Sequence, residues 1–184
     1  MNINVCKIEG VKIIEPKVYE DERGFFFESY NKAKYQKFAK ISHNFVQDNH
    51  SKSSYGVLRG LHFQKNNPQG KLIRVTKGSV YDFFVDIRKE SSSFGEAFGI
   101  EVNEKNKLQV WIPPGLAHGF LTLSQFAEFE YKCTNFYDPK DEHCLLWSDP
   151  KIKLDLPLPK EDIIVSKKDA CGNTFEDLIS WGII

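Results

Sequence analysis

One apolar residue in two, from Tyr81 through Phe83 and Val85 to Ile87, alternates with Asp82, Asp86 and Arg88. Such a run forms a single face only at a period of two, so it dictates a half-buried β-strand. Phe126 to Cys133 repeats the device: Ala127, Phe129, Tyr131 and Cys133 alternate with Glu128, Glu130 and Lys132, which aims Tyr131 at an interior. Further strands are expected at Lys12–Ile14, Phe25–Ser29, Leu72–Lys77, Ala97–Val102 and Leu108–Ile112, separated by turns of Gly, Asn and Pro. Many short strands at regular spacing build a sandwich or a barrel, so the fold class is all-β. Helical pattern is confined to Asn31–Lys40, with the composition of a short surface helix, and to Thr174–Gly182, which opens on a capping residue and closes on Gly. These peripheral and C-terminal helices are not expected to build core.

A length of 184 residues suits one domain over 1–184, with N-terminal strands to about 50, a barrel core over about 51–150 and a tail over about 151–184, entered at Pro157-Leu158-Pro159. Lys+Arg and Asp+Glu balance at 25 each, so no general nucleic-acid or membrane surface is expected and any anion site must be local. Cys6, Cys133, Cys144 and Cys171 are scattered without a CxxC pair, which argues for reduced thiols rather than a disulfide scaffold or zinc knuckle. The N-terminal text lacks the apolar core of a signal peptide, and no apolar run approaches the ~18 residues of a membrane span. A soluble, cytoplasmic protein is expected.

Chemistry concentrates in Val57-Leu58-Arg59-Gly60-Leu61-His62-Phe63-Gln64, followed by Gln69-Gly70-Lys71, which sets an imidazole beside two cations. A neutral imidazole, with an ordinary pKa of about 6.5, can accept a proton at neutral pH, and a fixed ammonium can stabilise the negative oxygen that results. The set suits proton abstraction beside a carbonyl. On spacing alone, an ordinary strand histidine flanked by solvated charges fits equally well. The chain has only four arginines, Arg23, Arg59, Arg74 and Arg88, so one placed beside this histidine is less readily filler. Strict alternation along Leu58 to Gln64 puts Arg59 and His62 on opposite faces, and a bulge at Gly60 would reconcile them. There is no GxGxxG or Walker loop, so phosphates would have to be held by side chains.

Four more strings frame this motif: Asp21-Glu22-Arg23-Gly24-Phe25-Phe26-Phe27-Glu28, Phe45-Val46-Gln47-Asp48-Asn49-His50-Ser51, Trp111-Ile112-Pro113-Pro114-Gly115-Leu116-Ala117-His118-Gly119-Phe120 and Tyr131-Lys132-Cys133-Thr134. In that order and spacing, from about Val11 to Asp169, they resemble the dTDP-4-dehydrorhamnose 3,5-epimerase family. The resemblance implies a cupin-type jelly-roll barrel, which agrees with the strand pattern. It also implies an isomerase that inverts C3 and C5 of dTDP-4-dehydro-6-deoxy-D-glucose, beside its C4 ketone, to give dTDP-4-dehydro-L-rhamnose. By position, the resemblance makes His62 the base, Asp169 the group that orients its other ring nitrogen, Lys71 the support for the enolate oxygen and Tyr131 the acid on the opposite face. It brings Arg59, Gln47, Asn49 and Lys168 to the diphosphate or sugar, with Asp48 in the same string and His118 in the ligand pocket. It stacks Tyr137 on thymine with Glu142 nearby, and it sends Arg23 and Glu28 to the nucleotide of a neighbouring subunit, which implies a homodimer. The resembled pattern more usually has a Gly after the acidic position, where this chain reads Glu142-His143-Cys144.

Rival readings stay open. Many cupins bind a metal through His-x-His and a later Glu and His, but His62-Phe63-Gln64 has glutamine where the second histidine is needed, although Pro113-x-Gly115-x-x-His118 keeps the later form. Two imidazoles without a third strong ligand suit iron or zinc poorly, so no metal and no redox cofactor is expected. Within the epimerase reading, inversion at C3 alone or a different 4-keto nucleotide sugar is the nearest competitor. A metal-dependent cupin is more distant. A non-catalytic sugar-nucleotide binding module is disfavoured by intact His62, Tyr131 and Asp169.

Overall fold

The computed structural model describes residues 1–184. Six strands make a first, antiparallel sheet in the order β1 (Asn2–Val5), β2 (Lys12–Glu15), β10 (Gln109–Ile112), β7 (Lys71–Lys77), β12 (Phe126–Cys133) and β5 (Gln47–Ser54). A second sheet runs β13 (Glu142–Cys144), β6 (Val57–Gln64), β11 (Leu116–Thr122), β8 (Ser79–Asp86) and β9 (Ala97–Asn103), with the short β14 (Ile164–Val165) laid parallel on β6. β3 (Tyr19–Asp21) and β4 (Gly24–Phe26) form a separate hairpin.

The two sheets close a jelly roll over an apolar interior. Ile73, Val75, Val110, Ile112, Ala127 and Phe129 from the first sheet meet Val80, Phe84, Leu116 and Phe120 from the second. Phe120 and Phe129 stack across the gap with centroids 4.3 Å apart. Each such side chain contributes about 1.5–3 kcal/mol by leaving water. The outer face of the second sheet is buried as well. Leu58, Leu61, Phe83, Val85, Ala117 and Leu121 are covered there by Leu145, Ile152, Phe175, Leu178 and Ile184 of the C-terminal segment.

That cover corrects two expectations. β8 is not half-buried: Phe83 and Val85 face the C-terminal segment, while Val80, Asp82, Phe84 and Asp86 on the other face are equally inaccessible to solvent. The alternation is real, but the polar side points inward. The helices do build core. Asn31 caps α1 (Lys32–Lys34) by accepting from the Lys34 amide, and the chain continues as a π-helical turn over Tyr35–Ala39. Tyr35 and Ala39 pack with Ile14, Leu72 and Trp111 on the outer face of the first sheet. Lys167–Ala170 form a one-turn helix, α2. α3 (Phe175–Ser180) begins with a reciprocal Thr174–Asp177 capping box and buries Phe175 and Leu178. Strand ends differ locally: the strand expected over Phe25–Ser29 stops at Phe26, and β8 stops at Asp86, whose carboxylate accepts from the Arg88 amide at 3.0 Å.

Candidate active site

The pairing of β6 with β11 slips once. His62 lies opposite His118 and Arg59 opposite Phe120, so Gly60 and Leu61 together face the single residue Gly119. The extra residue is a bulge, and it turns Arg59 and His62 to one side despite their odd spacing. Only glycine fits at its centre: Gly60 has φ +123°, and a Cβ there would stand 2.5 Å from the Gly119 Cα.

Both side chains thereby line a cavity of about 390 Å³ with Lys71, His118, Tyr131 and Asp169. His62 Nε2 lies 2.7 Å from Asp169 Oδ1. Asp169 sits in α2, whose capping residue Ser166 accepts from the Asp169 amide at 3.1 Å, so the carboxylate is fixed by local backbone. Burial pushes the Asp169 carboxyl pKa up, but bonds from His62, the Gly60 amide and Ser166 outweigh it and hold the group below its ordinary value. Asp169 is therefore an anion at neutral pH. By accepting from Nε2 it fixes that ring nitrogen of His62 as the one that carries the proton and leaves Nδ1 with the free lone pair.

Beside this pair stands a second one that sequence reasoning missed. His118 Nε2 is 2.7 Å from Asp82 Oδ2, and both groups are buried. Burial draws His118 below its ordinary pKa against the opposing pull of Asp82. Asp82 Oδ1 makes no hydrogen bond within the protein. The signal was an aspartate on the polar side of β8, recognisable as interior only when the opposite side is known to be covered.

The other wall belongs to the first sheet. Lys71 opens β7, and burial lowers its pKa against the pull of Cys133, Asp82 and Glu142. Its ammonium lies 5.9 Å from the centre of the Tyr131 ring on β12. Burial raises the Tyr131 hydroxyl to about 12, with Arg59 pulling the other way, so it carries its proton at neutral pH. The cavity thus has a group able to accept a proton on one sheet and a group able to donate one on the other, with a cation beside the donor.

Around the mouth, Tyr137 donates from its hydroxyl to Glu142 Oε2 at 2.7 Å, and Glu142 also accepts from Lys168. Half of the Tyr137 surface is open. Gln47 accepts from the Tyr137 amide at 2.9 Å and donates to Asn49 at 3.0 Å. Arg59 donates to Ser53 at 3.0 Å. Three expected residues are not brought here. Asp48 pairs with Lys132 at 2.9 Å, since alternation along β5 points it away from Gln47 and Asn49. Arg23 binds Asp21 on the projecting hairpin, and Glu28 binds Lys34 and Asn31. A second hollow on the outer face of the first sheet holds Arg74 and Glu130, which neutralise each other at 2.6 Å.

A jelly roll of cupin type, with an imidazole–carboxylate pair and a protonated tyrosine on the walls of one cavity, fits one class, an isomerase that moves protons. Comparison with known proteins narrows this. The family model described as dTDP-4-dehydrorhamnose 3,5-epimerase matches residues 5–177. The chain is 53% identical to the dTDP-4-dehydrorhamnose 3,5-epimerase of Salmonella typhimurium over 90% of both chains, and 47% identical to that of Escherichia coli over the full length of both. A crystal structure of the Legionella pneumophila dTDP-6-deoxy-D-glucose-3,5-epimerase in complex with dTDP-4-keto-L-rhamnose superposes with a TM-score of 0.94 at 46% identity, covering 100% of this chain and 96% of that one. The chain belongs to the dTDP-4-dehydrorhamnose 3,5-epimerase family.

Proposed function

We propose that this chain inverts C3 and C5 of dTDP-4-dehydro-6-deoxy-D-glucose to give dTDP-4-dehydro-L-rhamnose. The observation that carries the reading is the placement of His62 and Tyr131 on opposite walls of one cavity. The C4 ketone acidifies the hydrogens on C3 and C5. His62, oriented by Asp169, takes a proton from one face of the ring, and the charge that develops on the ketone oxygen is stabilised by the Lys71 ammonium. Tyr131 returns a proton to the opposite face, which inverts the carbon. His118, kept neutral by burial and oriented by Asp82, can donate a hydrogen bond into the same space.

Arg59, Gln47, Asn49 and Lys168 hold the diphosphate or sugar, and the open face of Tyr137, steadied by Glu142, stacks on thymine. Arg23 and Glu28 lie off this subunit's cavity, which supports a homodimer in which they reach the partner's nucleotide. Asp48 has no place in this chain's own cavity. The assembly works as a cytoplasmic enzyme, one jelly-roll domain per chain. No helix of the chain is long and apolar enough to cross a membrane.

A second reading is inversion at C3 alone. It draws on a 3'-monoepimerase from Streptomyces bikiniensis, crystallised with dTDP-quinovose, that shares the fold at a TM-score of 0.89 and 27% identity. Incubation with the 4-keto dTDP sugar in D2O separates the cases. Deuterium at C3 and C5 is the expected result, deuterium at C3 alone selects the second reading, and deuterium at neither removes both. His62→Ala should abolish exchange at both carbons, whereas Tyr131→Phe should keep exchange and lose inversion, each by ~10²–10⁴-fold. Near-normal exchange in folded His62→Ala would show that another group is the base.

A further inference from the structure

Cys144 on β13 is the register partner of His62 on β6, and its Sγ lies 4.0 Å from Asp169 Oδ1. With His62 Nε2 2.7 Å from that same oxygen, an imidazole nitrogen, a thiol sulfur and a carboxylate oxygen all fall within 4.8 Å of one another. The three donors come from three separately braced elements. Ladder bonds at 2.9 and 3.3 Å between Leu61 and Leu145 lock β6 to the end of β13 beside His62 and Cys144, and the Ser166 cap fixes Asp169.

We propose that His62, Cys144 and Asp169 form a binding site for a soft divalent cation of the zinc and cadmium type, and that occupation switches the base off. Nitrogen, sulfur and one carboxylate oxygen are the donors such ions choose, filling three corners of a tetrahedron. The fourth corner falls to water in the cavity that His62 and Asp169 line. Zinc bonds of about 2.0–2.3 Å set donors roughly 3.3–3.7 Å apart, and the present contacts of 2.7 and 4.0 Å lie on either side of that spacing. The third pair, His62 Nε2 and Cys144 Sγ, lies within 4.8 Å, so binding draws the thiol inward and parts the imidazole from the carboxylate. Magnesium and calcium are refused by the same set, because they take oxygen ligands almost exclusively.

On binding, the Cys144 S–H bond is exchanged for a sulfur–metal bond and the thiol proton leaves to solvent. The metal takes His62 Nε2 and displaces the proton that this nitrogen donates to Asp169; that proton passes through solvent to Nδ1, whose lone pair was the free one, so none remains to accept a proton from substrate. Without the ion the thiol is a bystander, since burial lifts it to about 12. Loss of turnover rests on the proposed role of His62, whereas binding of the ion does not.

Titration of the wild-type chain with Cd²⁺, followed by the ultraviolet charge-transfer absorption of a cadmium thiolate, tests the site without substrate. The band should saturate at roughly one ion per chain. It should survive Cys171→Ser, which removes the one exposed cysteine, and vanish in Cys144→Ala and in the near-isosteric Cys144→Ser. In the exchange assay Zn²⁺ should suppress wild-type turnover reversibly with EDTA. Cys144→Ala should turn over at close to the wild-type rate and lose sensitivity by more than the ~10–100-fold that an outer hydrogen-bond partner is worth. Absence of the band in folded wild type, or its persistence in both Cys144 variants, overturns the proposal. A wild type that binds Cd²⁺ through Cys144 yet exchanges no substrate hydrogen upholds the site and overturns the proposed function.

Discussion

Replacing Gly60 with alanine tests the bulge on which the site depends. The added Cβ would lie 2.5 Å from the Gly119 Cα and 2.7 Å from the His118 carbonyl oxygen, against an ordinary contact of about 3.5–4.0 Å. β6 and β11 must part by roughly 1 Å to admit it. Holding alanine at φ +123° costs about 1–3 kcal/mol, and overpacking a closed site costs about 1–3 more. The sum of about 2–6 kcal/mol corresponds, at about 2–4 °C per kcal/mol for a chain of this size, to a melting-point loss of at least about 4 °C. Gly24→Ala is the control, because Gly24 has φ +121° and nothing within 4 Å of its would-be Cβ. It carries the backbone cost without the collision. Thermal unfolding of both variants isolates the clash, and exchange in D2O measures what a displacement of about 1 Å does to His62, about 10²-fold by analogy with other misplaced catalytic groups. Equal melting points for Gly60→Ala and Gly24→Ala, with wild-type exchange in both, would refute the argument that this close approach sets the geometry.

Arg23→Ala and Tyr137→Ala should raise KM and leave kcat nearly unchanged, and collapsed turnover at unchanged KM would contradict their assignment to nucleotide binding. Burial works against the Asp86 carboxylate, but Arg88, Ser91 and Ser93 outweigh it and hold its pKa at about 2. The folded value lies below the ordinary 3.8, so its stabilisation, about 2 kcal/mol, is present above pH 4 and lost as pH falls towards 2. Urea unfolding of Asp86→Asn should accordingly show a large deficit at pH 7 that shrinks in acid, and a deficit independent of pH would count against it. EDTA should leave turnover of the purified enzyme undiminished. Loss of activity that Fe(II) or Zn(II) restores would place a metal in the reaction.

Strands such as β7, β9 and β12 are legible in the chain, because a period of two is written in side-chain type wherever one face meets oil and the other meets something polar, whereas the polar run of β5 and the wholly buried run of β11 carry no such signal. Phe126 to Cys133 forms β12 over the expected residues, and Tyr131 points inward as its alternation requires. What that polar something is lies beyond the reach of pattern. β8 reads as half-exposed, yet the C-terminal segment covers one face and the barrel interior holds the other, so Asp82 becomes the partner of His118. The same cover turns α3 into core through Phe175 and Leu178, contacts between residues far apart in the chain that no local window contains. Motif order selected His62, Lys71, Tyr131 and Asp169 as one set. How Arg59 and His62 come to share a face follows from strand pairing: a one-residue slip between β6 and β11 reverses every side chain beyond it, and that slip depends on Gly60 meeting Gly119 across the ladder. Cys144 was legible as a departure from the pattern, but its place beside His62 follows from strand register, which pairs residues by backbone geometry rather than by their chemistry.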